Sequence, residues 1–314
     1  MVYSSIRDLG LAFFTVSLGV LQIPIMFALT FIDILRKATS KKIRPRQIVI
    51  TGGSSGIGEA LALEYARPGV ILHLIARSRS RLEMTEVKCK QLGCSVYLYS
   101  VDVTNSDVLR KTLLDIYEDR PIDLLIASAG QAGDFVDTQK NDSLTPTSWE
   151  TMYDRMFDVN VIGVMNTVMP IFNKMKSSGY GGQIAIIGSV AGYLGPPNMI
   201  YYNASKAAVN SFARDLRHLG QENGVYVSLV VPGLIKSRLT LQLDAPYPQT
   251  YPFFGSPQIL AQEIKSGLSR NDSIISYPDY QYFGVYGVST LVPTVKQWIT
   301  WFVGLTGPMG TKMS

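Results

Sequence analysis

Short apolar runs rich in β-branched residues alternate with helical patterns along residues 46–280. The run at Val70–Ala76 is apolar at nearly every position, which is typical of a strand buried on both faces of a parallel sheet. Strands that alternate with helices favour βαβ units, so the sequence predicts one α/β domain with a doubly wound parallel sheet. The strands are predicted at Gln47–Thr51, Val70–Ala76, Val96–Val101, Ile122–Ala127, Ile184–Gly188, Val225–Val231 and Ser273–Ser276, and the helices at Glu59–Arg67, Ser80–Leu92, Val108–Tyr117, Trp149–Met175 and Tyr201–Leu219.

The net charge of +5 comes from the two ends of the chain and not from this domain. Residues 1–46 hold seven Lys or Arg against two acids, and residues 281–314 hold two Lys and no acid. Because the basic excess lies outside the body, we expect no nucleic-acid partner. Two histidines and two cysteines are too few for a zinc site or a disulfide framework, so no metal is predicted.

The N-terminal region contains a run of 24 residues without a charge, from Leu9 to Ile32. As a helix it would reach about 36 Å, enough for a hydrocarbon core of roughly 30 Å. A cleaved signal peptide is the alternative, but its apolar region is normally about 7–15 residues and ends in small residues. We therefore predict a membrane anchor at residues 1–35 and a basic linker at residues 36–45. Six bases and no acid in Arg36–Arg46 predict that the body faces the cytosol. In a eukaryotic cell the expected membrane is that of the endoplasmic reticulum.

A second apolar stretch lies in the C-terminal segment, residues 281–314, from Tyr282 to Leu305. Lys296 lies near its middle, and a central lysine costs about 2.5–3.5 kcal/mol on insertion. This favours a membrane-facing or substrate-covering helix over a second span. Trp298, Trp301 and Phe302 suit an interfacial position.

A glycine-rich turn, Thr51–Gly58, joins the first predicted strand to the first helix. Glycines allow a tight turn and close approach of a ligand, and the helix N-terminus presents free N–H groups to a pyrophosphate. This position favours a dinucleotide site. The residues predicted to form it are Gly52, Ser54, Ser55, Gly56, Ile57 and Gly58.

The end of the second strand indicates which dinucleotide is bound. An acid there would bind a ribose 2′-hydroxyl, whereas an arginine would accommodate a 2′-phosphate. This chain has Ala76, Arg77, Ser78 and Arg79, and its next acid is Glu83. Arg77 therefore favours NADP(H) over NAD(H), and Arg79 is expected on a solvated face.

Tyr202 and Lys206 are four residues apart, so they share one face of a helix. An ammonium near a tyrosine favours the phenolate, and we expect Lys206 to lower the pKa of Tyr202. The tyrosine could then exchange a proton with a carbonyl or alcohol oxygen while a nicotinamide exchanges hydride. Ser189 follows a predicted strand and could hydrogen-bond the same oxygen.

These motifs together resemble the short-chain dehydrogenase/reductase family over about residues 46–277. The resemblance rests on Thr51–Gly58, Asp102-Val103, Ser189 with Tyr202-Asn203-Ala204-Ser205-Lys206, and Pro232-Gly233. It implies a Rossmann fold and a nicotinamide cofactor, and it is compatible with a homodimer.

The resemblance also implies roles for further residues. Asn160 would hold a water in the proton relay with Lys206, and Asp102, with Val103 beside it, would contact adenine. The backbone of Ile235 and the hydroxyl of Ser237 would hold the nicotinamide carboxamide, close to Pro232 and Gly233. Ser128-Ala129-Gly130 stands where the family has Asn-Ala-Gly, and a serine makes fewer hydrogen bonds than an asparagine.

Three functions remain open at this point. The first is a membrane-anchored NADP(H) oxidoreductase acting on a lipophilic carbonyl or alcohol, with a 3-ketosphinganine-type reductase as a narrower reading. The second is a non-catalytic NADP-binding scaffold, and the third is a soluble enzyme whose apolar ends are oligomer contacts. An intact set of Asn160, Ser189, Tyr202 and Lys206 favours an enzyme. The aromatic loop Arg238–Pro257 falls where the family places a substrate lid.

Overall fold

The computed structural model describes residues 44–132, 153–195, 199–237, 240, 254–282 and 284. The chain divides into two compact units, residues 1–42 and 43–314. The predicted anchor at 1–35 lies outside the described residues, as does nearly all of the C-terminal segment and most of the Arg238–Pro257 loop.

Seven parallel strands form one sheet in the order β3-β2-β1-β4-β5-β6-β7. The winding reverses between β1 and β4, which are neighbours in space but separated by two strands along the chain. The predicted doubly wound parallel sheet is confirmed. The strands are β1 (Gln47–Thr51), β2 (Ile71–Ala76), β3 (Ser95–Ser100), β4 (Leu124–Ala127), β5 (Gly182–Ile187), β6 (Val225–Pro232) and β7 (Ile274–Tyr277).

Helices cover both faces of this sheet. Those of the described residues are α1 (Gly56–Tyr65), α2 (Arg79–Gln91), α3 (Ser106–Asp119), α4 (Gly163–Ser178), α5 (Ile200–Gln221) and α6 (Pro257–Ser269). One buried cluster packs α1, α2 and α6 against the sheet, and the other packs α3, α4 and α5. In β1 the side chains alternate between the two clusters, with Val49 in one and Ile48 and Ile50 in the other. The apolar strands are therefore buried on both sides, as their composition predicts.

Two local features depart from the predicted elements. Helix α6 was not predicted, although Ser256 caps it by accepting from the N–H groups of Gln258 and Ile259, and Pro257 occupies its first turn. Serine followed by proline is a common start signal for a helix. The long helix predicted from Trp149 is helical from residue 153 in the described part, and it contains a π-helical turn at Asp158–Ile162 just before α4.

No helix among the described residues combines the length and apolar character needed to cross a membrane. Tyr282, at the start of the apolar C-terminal stretch, is buried and packs its ring edge-on against Tyr193.

His73 is buried within β2, as predicted for a core residue. Its ring stacks between Tyr97 and Tyr99 of the edge strand β3, and its Nδ1 shares a hydrogen bond of 3.1 Å with the Tyr99 hydroxyl. Burial lowers the pKa of His73 to about 4, and the negative charge of Asp119 opposes that shift. The imidazole is therefore neutral in the folded protein at neutral pH.

The burial of His73 makes folding stability depend on pH. Between pH 6.5 and about 4 the unfolded chain binds a proton that the folded chain does not bind, so stability falls as the pH drops through this range. The full effect is about 3 kcal/mol. The variant His73→Phe keeps the ring stack. Between pH 7 and pH 4 we expect its free energy of unfolding, measured with urea, to fall by about 3 kcal/mol less than that of the wild type. His218→Gln is the control, since His218 is exposed. Equal losses in all three proteins would contradict the assignment.

Candidate active site

The glycine-rich turn places the carboxyl end of β1 against the carboxyl end of β4. Gly52 has a φ of +72°, and a Cβ there would lie 2.9 Å from the backbone of Ala129. Its N–H donates to the carbonyl of Ile75 at 2.8 Å, and the Thr51 hydroxyl accepts from the N–H groups of Ser128 and Ala129. Glycine is required at position 52 because any side chain would push the two strand ends apart.

Helix α1 begins directly after this turn and points its N-terminus at the crevice. Ser55 is the N-cap, and its side chain makes no capping hydrogen bond. The first N–H groups of a helix have no acceptor within the helix, so they are available to an anion. Gly56 has a φ of +57°, and an added Cβ would meet only Ser237, at 3.6 Å. Gly58 packs against the carbonyl of Gly52 and holds the turn to the helix.

A cavity of about 390 Å³ opens at the carboxyl ends of the strands, beside the point where the winding reverses. This is where open α/β sheets bind ligands. Of the predicted site residues, the following line it: Gly52, Ser54, Ser55, Gly56, Ile57, Arg77, Asp102, Val103, Ser128, Ala129, Gly130, Ser189, Tyr202, Lys206, Pro232, Gly233, Ile235 and Ser237. Gly58 and Asn160 lie behind the wall and support it.

Ser189, Tyr202 and Lys206 meet on one wall of this cavity. Ser189 follows β5 and is fixed by Asn210, which accepts from its N–H at 3.3 Å and donates to its carbonyl at 2.9 Å. Tyr202 lies in the first turn of α5, and the Ser189 side chain acts to lower the pKa of its phenol. Lys206, one turn later, donates from Nζ to the carbonyl of Ile187 at 3.0 Å. Its Nζ lies 5.9 Å from the centre of the Tyr202 ring.

Burial sets the protonation of both groups. It raises the pKa of Tyr202 above its ordinary value, and the hydrogen bond with Ser189 opposes this shift. Burial also lowers the pKa of Lys206 to about 8. The expectation that the ammonium would lower the pKa of Tyr202 is therefore wrong for this structure, because burial outweighs the other effects. At neutral pH the phenol of Tyr202 keeps its proton, and the Lys206 side chain is protonated in most molecules.

Asn160 is fully buried in the π-helical turn, and its side-chain amide is hydrogen-bonded to other groups of the protein. Its Oδ1 accepts from the N–H of Gln131 at 2.8 Å, and its Nδ2 donates to the carbonyl of Gln131 at 2.9 Å. A Cβ at Gly130 would lie 3.3 Å from Asn160 Oδ1 and 3.7 Å from Lys206 Nζ. Asn160 therefore binds the loop after β4 beside the wall that carries Tyr202 and Lys206. Its role in a water relay stays a prediction.

Two arginines line the cavity where β2 leads into α2. Arg77 is exposed at the end of β2, with Nη1 3.9 Å from Oδ2 of Asp102. Oδ1 of Asp102 accepts from the N–H and the hydroxyl of Thr104, each at 3.0 Å. Arg81, in the first turn of α2, also lines the cavity. Arg79 points elsewhere, donating to Glu83 and to the carbonyl of Leu98, in agreement with its predicted surface position.

The wall opposite α1 is formed by the segment after β6. The N–H of Gly233 donates to the carbonyl of Tyr277 at 2.9 Å, which holds the segment to β7. Thr240 donates to the carbonyl of Ile235 at 2.8 Å and accepts from the N–H of Ser237 at 2.9 Å. Ile235 and Ser237 are therefore held in a closed turn facing the cavity.

Several lining residues were not predicted from the sequence: Ala76, Arg81, Val101, Gln131, Val159, Ile187, Gly188 and Thr240. Arg81 could have been found, because it lies four residues after Arg77 in the first turn of the helix that follows β2. Gln131 and Thr240 carry no such signal, since their places depend on how loops close.

Comparisons with known proteins agree with this geometry. The family model described as short chain dehydrogenase matches residues 46–247. The chain is 30% identical over 285 residues to 11-beta-hydroxysteroid dehydrogenase 1A of Arabidopsis thaliana, covering 85% of this chain and 78% of that protein. It is 30% identical over 235 residues to an uncharacterized oxidoreductase of Myxococcus xanthus, covering 74% of this chain and 87% of that one.

Two solved structures are similar as well. A short-chain dehydrogenase from Sphingobium yanoikuyae in complex with NADPH has a TM-score of 0.65 and 25% identity, covering 82% of this chain and 95% of that one. A short chain dehydrogenase from Mycobacterium paratuberculosis bound to NAD has a TM-score of 0.62 and 26% identity, covering 76% and 97%. The family match spans well over half of the residues, and the fold and the cavity agree with it. This chain belongs to the short-chain dehydrogenase family and is an oxidoreductase of that family.

Proposed function

We propose that this protein is an NADP(H)-dependent oxidoreductase that exchanges a hydride between the nicotinamide and a carbonyl or secondary alcohol of a lipophilic substrate. The observation that carries this proposal is the convergence of Ser189, Tyr202 and Lys206 on one wall of a single cavity. Hydride transfer to a carbonyl carbon is accompanied by proton transfer to its oxygen, so the oxygen must lie against a proton donor while the carbon faces the cofactor.

The residues present fit a dinucleotide. The free N-terminus of α1 faces the cavity at Ser54–Ile57 and suits a pyrophosphate. The space beside Gly56 is open, since a Cβ added there would meet only Ser237, at 3.6 Å. Asp102 and Val103 would hold the adenine end, and Ile235 with Ser237 the carboxamide end. When bound, the cofactor supplies or accepts the hydride.

In the reductive direction the chain provides the proton and the alignment. Tyr202 keeps its proton at neutral pH, so its hydroxyl donates to the substrate oxygen. Asn210 holds the backbone of Ser189, and the Ser189 hydroxyl hydrogen-bonds the same oxygen and holds it beside the phenol. The ammonium of Lys206 stabilises the phenolate that the transfer leaves on Tyr202. In the oxidative direction the same groups act in reverse.

The charge of the nucleotide end supports NADP(H) over NAD(H). Arg77 and Arg81 both line this end, and Asp102 lies 3.9 Å from Arg77 Nη1, too far for a tight hydrogen-bonded pair. A 2′-phosphate would find two guanidinium groups there, each able to donate to it in a bidentate manner. The similar solved structures include one bound to NADPH and one bound to NAD, so the argument rests on the two arginines.

The apolar character of the ends and the names of several relatives support a lipophilic substrate and a membrane location. Relatives from Arabidopsis thaliana and Sesamum indicum are named as 11-beta-hydroxysteroid dehydrogenases or as proteins like them. The uncharged run Leu9–Ile32 and its basic flank support an anchor with the catalytic domain facing the cytosol, where NADPH is available.

Tyr202→Phe should lower kcat by about 10²–10⁴-fold, because it removes one hydroxyl and so the proton donor. NADPH should still bind, since the phosphate and carboxamide contacts lie elsewhere in the cavity. The measurement is NADPH oxidation with a panel of steroid and lipid ketones, together with NADPH binding by fluorescence. The control is Tyr201→Phe, which removes a hydroxyl from the adjacent tyrosine. Tyr201 does not line the cavity, so this variant should keep a rate close to that of the wild type.

Turnover by Tyr202→Phe within a few-fold of wild type would eliminate Tyr202 as the proton donor. If wild type binds NADPH but reduces or oxidises no substrate of the panel, a non-catalytic NADP-binding role becomes the better account.

Arg77→Ala and Arg81→Ala should each raise the Kd for NADPH by roughly 10-fold or more while leaving that for NADH within about two-fold. A hydrogen bond to a charged group contributes about 1.5–3 kcal/mol, and only NADPH carries the 2′-phosphate. Arg79→Ala is the matched control, because Arg79 is bound to Glu83 and Leu98. Equal weakening of both cofactors would assign the arginines a structural role.

Deleting residues 1–35 should move much of the protein from the membrane to the soluble fraction while its activity on a short, soluble carbonyl substrate remains. The reason is that every residue of the cavity lies after position 51. Fractionation without detergent measures the first effect, and protease digestion of sealed microsomes checks that the domain faces the cytosol. A truncated protein that stays fully bound would assign the attachment to Tyr282–Leu305.

A further inference from the structure

Ser205 is fully buried in α5 between the two predicted catalytic residues, yet it does not line the cavity. Its hydroxyl donates to the carbonyl of Tyr202 at 2.8 Å and accepts from Nδ2 of Asn160 at 3.1 Å. A serine hydroxyl has one proton to donate, and this proton is directed at the residue that carries the phenol.

The other partner of Ser205 ties this hydroxyl to a different part of the fold. Asn160 lies in the π-helical turn and binds both the N–H and the carbonyl of Gln131. Gln131 follows β4 and lines the cavity. One continuous set of hydrogen bonds therefore runs from the loop after β4, through Asn160 and Ser205, to the backbone of Tyr202.

The start of α5 depends on such a link. The N-cap of α5 is Met199, which provides no capping hydrogen bond from its side chain, and Tyr202 lies in the first turn. Terminal turns of helices fray unless something holds them. The contact from Ser205 holds the Tyr202 backbone to the fixed Asn160–Gln131 pair from within the domain.

We propose that Ser205 is a positioning residue, which holds the first turn of α5 against Asn160 and so fixes the hydroxyl of Tyr202 beside Ser189. This proposal rests on the proposed function, in which Tyr202 is the proton donor. Without the Ser205 hydroxyl, the phenol occupies a wider range of positions. A misplacement of about 1 Å costs roughly 10²-fold in rate. The cofactor contacts lie on other elements and stay unchanged.

The test is Ser205→Ala in the full-length protein. We expect kcat with NADPH and a reducible ketone to fall by about 10- to 100-fold, while the KM for the ketone and the Kd for NADPH stay within two-fold. A second readout is the titration of Tyr202, followed by NMR of protein labelled at the tyrosine Cζ carbon and assigned with Tyr202→Phe. A looser first turn admits water to the phenol, so the pKa of Tyr202 should move down towards the ordinary value.

Ser228→Ala is the matched control. Ser228 is also fully buried, its hydroxyl donates to the carbonyl of Asp272 at 2.7 Å, and neither residue lines the cavity. It should cost stability without changing kcat or the Tyr202 titration. A Ser205→Ala protein with kcat within two-fold of wild type and an unchanged titration would overturn the proposal, and so would an equal loss of kcat in Ser228→Ala.

Two further arms keep the result interpretable. If Ser205→Ala does not fold, Ser205→Cys replaces it, since the thiol is a weak donor of similar size; a loss of at least three-fold in kcat is then expected, and no loss overturns the proposal. If wild type and Tyr202→Phe are equally inactive on every substrate, the proposed function fails. The tyrosine titration then decides on Ser205 by itself, through the presence or absence of the downward shift.

Discussion

The reversal of winding between β1 and β4 determines where the reactive groups of this chain can meet. Connections leave β1 towards one edge of the sheet and leave β4 towards the other, so the two loops diverge and open a crevice between them. The crevice exists only if the strand ends lie close together, and this depends on Gly52, which approaches the backbone of Ala129. Thr51 reinforces the same contact with its hydroxyl. The turn that leads into α1 and the loop after β4 therefore share one support.

The cavity wall formed by Ser189, Tyr202 and Lys206 is supported largely by buried polar groups. A buried polar group lowers the stability of the fold unless it has a hydrogen-bond partner. The side chain of Asn210 hydrogen-bonds both the N–H and the carbonyl of Ser189. The carbonyl of Ile187 accepts from Lys206. The backbone of Gln131 hydrogen-bonds both the oxygen and the nitrogen of the Asn160 side-chain amide. Because these partners belong to different elements, the wall keeps its shape only when the loop after β4, the π-helical turn and α5 are all in place. Rigidity at this end is thus a consequence of satisfying buried hydrogen bonds.

The sequence was sufficient for the sheet because β-branched apolar runs between helical patterns leave few alternatives. The turn at Thr51–Gly58 and the pair Tyr202 and Lys206 could be assigned to the site from their local spacings. Asp102, Ile235 and Ser237 followed only from the resemblance to a family. Helix α6 was missed, although Ser256 and Pro257 mark its start. The π-helical turn at Asp158–Ile162 leaves no periodic signal. The sign of the Tyr202 pKa shift could not be obtained either, because burial depends on contacts between elements distant in sequence.

The two pKa shifts have a joint consequence for the direction of proton transfer. In water a tyrosine and a lysine have similar pKa values, near 10. Here burial raises the pKa of Tyr202 and lowers that of Lys206 to about 8, so on raising the pH the lysine loses its proton first. Around neutral pH the pair therefore holds a protonated phenol beside a largely charged ammonium, which is the state needed to donate a proton to a carbonyl oxygen. Taking a proton from an alcohol requires the phenolate, the form that burial disfavours. At neutral pH the wall is therefore in the protonation state of a proton donor, because burial acts in opposite directions on the phenol and on the ammonium.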